Sequence, residues 1–182
     1  EKQKIAQMAY DLIEPNMTVF LDISTTNIEL AKLLVSRPIS GITVVTNMLD
    51  VIQILSTSQI HSIFIGGEFD FGKDGFVGSL TIEMLKNFRF DLAFMGVVSV
   101  DIHDNAVTTY MANDGITKNE VLNISRKSYM MAESEKLKQS GSYKYANIED
   151  FQGIITDENL TETEEKELLK YDSWTNLYII NP

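Results

Sequence analysis

The sequence of 182 residues contains no cysteine, one tryptophan, two histidines and three prolines. The absence of cysteine excludes disulfide bonds, thiolate nucleophiles and cysteine-ligated metal sites, and it fits a reducing compartment. We therefore expect a cytoplasmic protein. The two histidines, His61 and His103, do not have the spacing of metal ligands. We accordingly expect neither a metal nor another cofactor.

Positive charge is also scarce. The 15 lysine and arginine residues stand against 26 aspartate and glutamate residues, which gives a formal net charge of −11, and no segment gathers the basic residues into a run. Because nucleic acid binding depends on neutralising phosphates with lysine and arginine, we expect this chain to repel DNA. No apolar run approaches the roughly 20 residues that a membrane helix needs, and residues 1–13 have the pattern of an amphipathic helix. We expect a soluble chain with no membrane partner.

The sequence does show a regular alternation of strand-like and helix-like segments. Apolar, often β-branched runs predict strands, and apolar residues at helical spacing predict the helices between them. Strands covered by helices in this order are typical of a mainly parallel sheet with helices on both faces. The sequence therefore predicts one α/β domain over residues 1–182. The predicted strands are 17–22, 42–47, 61–67, 90–100, 128–134, 153–157 and 177–180, and the predicted helices are 5–13, 27–34, 51–55, 79–88, 113–127 and 161–171.

Polar residues and glycines close the predicted strands. Ligands of parallel sheets bind beyond the carboxyl ends of the strands, so these residues are candidates for a binding site. Each of them alone is equally explained as a helix cap or a strand end. Their placement at one edge of the sheet favours a pocket. The closing segments are Asp22 to Asn27, Thr46 and Asn47, Gly66 and Gly67, Gly96 to Ser99, Glu133 to Lys136, and Thr156 and Asp157.

Seven short motifs in a fixed order give the chain a recognisable signature. They are LDISTTNIELAKLL, VVTN, IGGEF, VGS, DLAFMGVVSVD, AESEK and IITD. In this order they resemble the effector-sensing C-terminal domain of DeoR-family bacterial transcriptional regulators, over nearly the whole chain. The resemblance implies the fold of ribose-5-phosphate isomerases and coenzyme A transferases, and it implies a regulator that is not an enzyme.

The same resemblance implies partners. Members of this family typically bind phosphorylated sugars or related metabolites, and they contact operator DNA through a winged helix-turn-helix that precedes the sensor domain. No such module is present in this sequence, so we expect a fragment of a longer regulator of sugar metabolism genes, which reaches DNA only through the missing module. Bacterial regulators of this kind read two half-sites as symmetric assemblies. We therefore expect a homo-oligomer.

The first motif has the residues of an anion site. The first turn of a helix presents unpaired backbone N–H groups and a favourable dipole to a phosphate, and the hydroxyls that follow Asp22 add donors. Asp22 itself would repel a phosphate, so we expect it to accept hydrogen bonds from sugar hydroxyls or turn amides. The alternative is that this turn only caps a helix. The expected effector-binding residues are Asp22, Ser24, Thr25, Thr26, Asn27, Thr46, Asn47, Gly66, Gly67, Gly96, Lys118 and Lys136.

Two of these residues are cations. Lys136 closes the AESEK motif, which resembles both the DeoR lysine motif and the phosphate-binding lysine motif of ribose-5-phosphate isomerases. We expect its ammonium to contact the phosphate as a point charge, with a surface ion pair to Glu133 or Glu135 as the alternative. Lys118, on the preceding helix, is the weaker candidate for this role.

Three of the motifs depart from the family pattern. Ser24 stands where the family has glycine, Glu135 adds a carboxylate beside Lys136, and Ser99 stands where a glycine is common.

An isomerase-like enzyme is the alternative function. Isomerases of this fold need carboxylates at the end of the fourth strand to move a proton between sugar carbons, but Met95–Ser99 carries none. Asp101 and Asp104 lie close in sequence, in a segment that has the pattern of a hairpin turn. We find no nucleophile–base pair, which favours a sensor.

Overall fold

The structure is a computed structural model that describes residues 1–72, 74–157 and 160–171 and the backbone of residues 176–179. Six α-helices and twelve strands lie within these residues. In chain order they are α1 (Lys2–Asp11), β1 (Thr18–Leu21), α2 (Thr25–Ser36), β2 (Thr43–Thr46), α3 (Leu49–Leu55), β3 (His61–Phe64), β4 (Glu68–Asp70), β5 (Gly75–Val77), α4 (Ser79–Leu85), β6 (Phe90–Gly96), β7 (Ser99–Asp101), β8 (Ala106–Thr109), α5 (Ala112–Ile124), β9 (Ser125–Met131), β10 (Tyr143–Ala146), β11 (Gly153–Thr156), α6 (Glu162–Leu168) and β12 (Asn176–Ile179).

Seven of the strands form the central sheet, in the order β12-β11-β9-β6-β1-β2-β3. Every pairing in this sheet is parallel, as in the register of Val19 with Leu92 and with Val44. The mainly parallel sheet predicted from the sequence is confirmed. Because β1 and β6 lie side by side in the middle, the loops that follow them meet at the centre of the carboxyl edge.

Both faces of the sheet are covered, which confirms the predicted layers. Side chains alternate along β1, so Val19 and Leu21 pack with the buried residues of α1, α2 and α3. Phe20 points to the opposite face and packs with residues of α4 and α5, including Leu85 and Val121. No helix among the described residues is long and apolar enough to cross a membrane.

The short antiparallel strands were not predicted. In the segment that has the pattern of a glycine-rich loop, β4 and β5 pair antiparallel, with Phe69 opposite Phe76. A second small sheet has the order β10-β8-β7, and the predicted turn before Ala106 connects β7 to β8. These strands have three or four residues, too few for a clear period-two pattern.

Gly96 allows the closest backbone approach at the carboxyl edge. A Cβ atom at this position would lie 2.6 Å from the carbonyl oxygen of Ile23 and 2.6 Å from Cβ of Ser24. Both distances are shorter than van der Waals contact. The end of β6 therefore packs directly against the turn between β1 and α2, and only glycine fits there.

We expect Gly96→Ala to lower the free energy of unfolding by about 1–3 kcal/mol, because the added methyl group overpacks this contact. Urea unfolding followed by circular dichroism measures the change. Gly66→Ala is the matched control, since a Cβ at Gly66 meets no atom within 4 Å. Equal effects of the two substitutions would contradict the close approach.

Candidate functional site

A cavity of about 440 Å³ opens at the carboxyl edge, beyond the ends of β1, β6 and β9. We call it the rim cavity. It lies where parallel sheets bind their ligands. Its lining residues are Lys2, Ile23, Ser24, Thr25, Thr26, Ile28, Met48, Asp50, Phe71, Gly72, Asp74, Gly96, Val97, Val98, Lys118, Met131, Ala132, Glu133 and Lys136.

The first turn of α2 forms one wall of the rim cavity. Ser24 is the N-cap: its backbone is extended and its hydroxyl accepts a hydrogen bond from Thr26 N–H at 3.2 Å. The serine that replaces the family glycine thus provides a helix cap. Thr25 and Thr26 follow it at the wall. The capping alternative is present here: Ser24 accepts from Thr26 N–H with its hydroxyl and from Asn27 N–H with its carbonyl oxygen at 3.0 Å, which leaves Thr25 N–H in this turn for an anion.

Asn27 holds this turn in place from behind. Its side chain is fully buried, and Nδ2 donates to the carbonyl oxygens of Asp22 and Phe94 at 2.8 and 3.0 Å. It therefore ties the ends of β1 and β6 together. Asn27 does not line the rim cavity, so the structure gives it a positioning role beside the expected binding residues.

A buried charge cluster lies at the floor of the rim cavity, and Lys118 is the member of the cluster that lines the cavity. Lys118 of α5 donates to Asp22 Oδ2 and, at 3.1 Å, to the carbonyl oxygen of Gly96, and its Nζ lies 3.8 Å from Asp114 Oδ1. Asp22 is 2% exposed, Lys118 3% and Asp114 1%. Asp22 also accepts from the N–H of Gly96, at the end of β6, at 3.1 Å.

Burial and charge act in opposite directions on these groups. Burial raises the pKa of Asp22, and the ammonium of Lys118 only partly offsets this effect. Burial would lower the pKa of Lys118, but the carboxylates of Asp114 and Asp22 outweigh it and hold that pKa above the usual lysine value. Lys118 is therefore a permanent cation that two carboxylates share.

Asp114 was missed by the sequence analysis. Its spacing of four residues from Lys118 puts both side chains on one face of α5, and this i, i+4 relation was the available signal. Thr109 Oγ1 donates to its other oxygen, Oδ2, at 2.7 Å. Thr109 of β8 thus holds Oδ2 of Asp114, and Oδ1 of the same carboxylate faces the ammonium of Lys118.

Lys136 lies on the wall beyond β9, in the 3₁₀ turn Ser134–Lys138. Within the described part of the chain its ammonium makes no ion pair, whereas the neighbouring Glu133 pairs with Lys2 at 3.8 Å. Glu135 is exposed and does not line the rim cavity. The extra carboxylate of this motif therefore points away from the wall.

Six of the twelve expected residues do not line the rim cavity, namely Asp22, Asn27, Thr46, Asn47, Gly66 and Gly67. The Thr46 hydroxyl donates to the carbonyl oxygen of Leu21 at 2.7 Å, and Asn47 Nδ2 donates to that of Phe76 at 2.9 Å. Gly66 and Gly67 pack near Thr81, on the far side of β2. Thr46 and Asn47 are buried, and their side chains hold the loop after β2.

The opposite wall contains an acidic pair that sequence reasoning did not identify. Asp74 Oδ2 accepts from Asp50 N–H at 3.2 Å and so caps α3. A side-chain hydrogen bond with Asp74 raises the pKa of Asp50. Burial and repulsion by the charge of Asp74 raise this pKa further. The exposed ring of Phe71 lies beside this pair on the cavity wall. Asp50 lies in the first turn of α3, and Phe71 and Asp74 lie between β4 and β5, where no motif marks them.

The carboxylates considered for an isomerase lie elsewhere. Asp101, with His103, lines a second cavity of about 410 Å³. Asp104 is exposed in the β7–β8 turn, where its N–H donates to Asp101 Oδ1 at 3.0 Å. Neither aspartate lines the rim cavity. Among the described residues no group of three or more metal-ligating side chains occurs.

Comparison with known proteins agrees with the sequence signature. A family model described as the DeoR C terminal sensor domain matches residues 1–158. The chain is 31% identical over 158 residues to the HTH-type transcriptional repressor GlcR of Bacillus subtilis, a match that covers 86% of this chain and 59% of that protein. It is also 31% identical over 172 residues to the lactose phosphotransferase system repressor of Lactococcus lactis, with 94% and 67% covered.

A further relative is the glycerol-3-phosphate regulon repressor of Escherichia coli, which is 26% identical over 158 residues, with 86% of this chain and 62% of that protein covered. The chain thus spans 59 to 67% of the length of these three relatives.

Solved structures share the fold at low sequence identity. Ribose 5-phosphate isomerase A of Methanocaldococcus jannaschii aligns with a TM-score of 0.53 and 14% identity, over 75% of this chain and 53% of that one. A sor operon regulator of Shigella flexneri aligns with a TM-score of 0.54 and 18% identity, over 91% and 86%. The predicted isomerase-like fold is confirmed.

We expect Lys118→Met to lower the free energy of unfolding by about 3–5 kcal/mol near neutral pH, because it leaves the buried carboxylate of Asp22 without its cation. The loss should shrink as the pH falls. Removing the ammonium raises the folded-state pKa of Asp22 further, so the folded variant binds a proton before the unfolded chain does and gains stability toward acid. Urea unfolding at a series of pH values measures both effects.

Lys138→Met is the control for this substitution, since Lys138 lies on the surface and pairs with Glu164 at 3.5 Å. A Lys118→Met loss that stays the same from neutral to acidic pH would mean that the buried carboxylate of Asp22 does not depend on this cation.

Proposed function

The chain belongs to the family of DeoR C-terminal sensor domains, and from this membership we propose that it is the effector-sensing part of a transcriptional repressor, in which a phosphorylated sugar bound in the rim cavity controls binding to operator DNA. Residues 1–182 form the sensor domain in this proposal. The protein acts in the cytoplasm and binds its effector without turning it over.

One observation carries the proposal. The first turn of α2 and the ammonium of Lys136, which has no ion pair among the described residues, line the same cavity. The start of a helix with its dipole, and a lysine without an ion pair among the described residues, together support a phosphate site at this wall. The hydroxyls of Thr25 and Thr26 add donors at this wall.

The names of the relatives support an effector of this class. One is named for the glycerol-3-phosphate regulon and another for the lactose phosphotransferase system. The first name refers to a phosphate ester and the second to a sugar. A phosphorylated sugar combines the two chemistries, and the polar and apolar walls of the rim cavity suit its hydroxyls and its carbon skeleton.

The mechanism needs an oligomer and a second module. The relatives are named as repressors and are longer than the aligned part, so we place operator contact in a winged helix-turn-helix outside this chain. An effector changes DNA affinity only if it prefers one arrangement of the assembly, and a coupling of about 1–3 kcal/mol is typical. In a homo-oligomer the sensor domains set the spacing of two DNA-binding modules.

A thermal-shift panel of hexose 6-phosphates, pentose 5-phosphates and triose phosphates, each beside its unphosphorylated parent, is the direct test of this function. We expect at least one phosphate ester to raise the melting temperature while its parent does not. The bound phosphate ester should be recovered unchanged. Isomerisation of a bound ester would establish the enzyme alternative.

We expect Lys136→Met to weaken binding of the sugar phosphate by about tenfold or more, because a charge-assisted contact contributes about 1.5–3 kcal/mol. Calorimetric titration with the ester that binds most tightly in the panel measures the change. Lys138→Met is the matched control, two residues away on the same turn and outside the rim cavity. A dissociation constant that Lys136→Met leaves unchanged would remove Lys136 from the phosphate site.

We also expect the isolated chain not to bind duplex DNA at physiological salt. Its net charge of −11 leaves few cations to displace the counterions of DNA. Gel-shift titration with mixed-sequence and operator DNA measures this. Submicromolar binding by the isolated chain would place DNA contact within the sensor domain and overturn the assignment to a separate module.

A further inference from the structure

An ion pair at the edge of the rim cavity joins α1 to the turn that carries Lys136. Lys2 is the first residue of α1, and its Nζ lies 3.8 Å from Glu133 Oε1. The backbone carbonyl of Glu133 accepts a hydrogen bond from Lys136 N–H at 3.0 Å, so the partner of Lys2 also begins the turn of Lys136. All three residues line the rim cavity. The start of α1 therefore belongs to the wall where the proposed phosphate binds.

The same ion pair borders a second cavity, which we call the outer groove. This groove measures about 400 Å³ and is lined by Glu1, Lys2, Gln3, Glu29 and Glu133. Lys2 and Glu133 line both cavities, so their pair lies between the two. The outer groove has three carboxylates, and Lys2 is the one cation among its described lining residues. An anion is therefore attracted to Lys2 from the rim cavity rather than from the outer groove.

The pair between Lys2 and Glu133 is weak. The distance of 3.8 Å is too long for a hydrogen bond, and the two side chains are 46% and 29% exposed. Exposed ion pairs of this kind contribute little to stability. A phosphate group carries about −1.5 to −2 charge near neutral pH, and it attracts an ammonium more strongly than one carboxylate does. Lys2 can therefore exchange Glu133 for a phosphate at little cost.

We propose that Lys2 is a further effector-binding residue, and that its ammonium leaves Glu133 for the phosphate of the effector when the effector binds at the start of α2. The proposal rests on the proposed function, since the phosphate belongs to the same effector. Lys2 and Lys136 then hold the phosphate from two separate elements, α1 and the 3₁₀ turn. The exchange displaces the start of α1.

The rest of α1 is fixed in the core, which confines the displacement to its first turn. Ile5, Ala6 and Ala9 are fully buried, and they pack in the same cluster as Leu30 of α2. In the proposed function the DNA-binding module precedes α1, so Lys2 lies where the two modules join. An effector that changes the partner of Lys2 makes different contacts in two arrangements, which is the requirement for coupling.

A purely structural role of the pair is the competing explanation. If Lys2 and Glu133 only anchor the start of α1, loss of either side chain removes the same interaction. Lys2→Met and Glu133→Gln should then change the affinity for the effector in the same direction. Exchange of partners predicts opposite directions, because Glu133 competes with the phosphate for Lys2.

Calorimetric titration with two probes separates these explanations. The probes are inorganic phosphate and the phosphate ester that binds most tightly in the thermal-shift panel. We expect Lys2→Met to weaken binding of both by about three- to tenfold, because a charge-assisted contact is lost. Glu133→Gln should tighten binding by up to about fivefold, since the ion pair no longer has to be broken. Lys4→Met is the matched control, on an exposed position of α1 outside the rim cavity, and should leave both dissociation constants unchanged.

The double variant tests whether Glu133 acts through Lys2. Lys2→Met combined with Glu133→Gln should bind both probes as weakly as Lys2→Met alone, since the carboxylate then has no ammonium to withhold. If Glu133→Gln tightens binding equally with and without Lys2, the carboxylate repels the phosphate directly. That result would overturn the exchange.

A fluorescent label measures the displacement of α1. The chain has no cysteine, so Gln3→Cys, at an exposed position, carries a single environment-sensitive dye. We expect a saturating concentration of the ester to change the emission of this dye in the parent chain but not in Lys2→Met. A dye at Asp104→Cys, in the exposed β7–β8 turn, should show no change in either.

Unchanged affinity of Lys2→Met for both probes would overturn the inference and leave the proposed function intact, because the ester still binds. An emission change at Gln3→Cys that persists in Lys2→Met would also overturn it, since α1 would then move without this lysine. Failure of every phosphate ester to bind the parent chain would instead reject the proposed function, and the inference with it.

Discussion

The ion pair between Lys118 and Asp22 is the interaction on which the carboxyl edge depends. It joins the end of β1 to α5, which covers the face of the sheet opposite α1, α2 and α3. The same ammonium donates a hydrogen bond to the carbonyl oxygen of Gly96 at the end of β6. A buried pair of this kind contributes little net stability compared with apolar residues, but removing one partner is costly. The pair therefore holds the ends of β1 and β6 against α5. Lys118 lines the rim cavity at this junction.

The sequence alone indicated the layers of the fold and the wall of the cavity. Buried parallel strands have continuous apolar runs, and the Ser24–Asn27 turn has the residues of a helix start, so both signals are local. Asp114 was not found because its role depends on where Lys118 lies. Lys118 pairs with Asp22, which is 96 positions away in the sequence, so no local pattern indicates this contact. Thr46 and Asn47 were expected at the site because they close a strand, yet their side chains turn inward to bond the backbone.

Side-chain hydrogen bonds account for two of the departures from the family pattern, Ser24 and Ser99. Ser24 has an extended backbone that any residue adopts, and its hydroxyl caps α2. Ser99, at a position where the family commonly has glycine, is buried and shares a hydrogen bond with the Thr108 hydroxyl in the small antiparallel sheet. These substitutions are local solutions within the same fold, and similarity of fold to isomerases says nothing about catalysis.

The neighbouring positions of β1 and β6 have a consequence for biosynthesis. During translation β1 leaves the ribosome long before its partner strand β6 and the helix that carries Lys118. Until then Asp22 has no cation, and the apolar strands that will flank it have unpaired edges that can associate with other chains. Sheets built from such distant segments fold slowly, since loop closure precedes any stabilising contact. A nascent chain that stops short of α5 therefore cannot assemble the cavity floor, and effector recognition arises only after most of the domain has been synthesised.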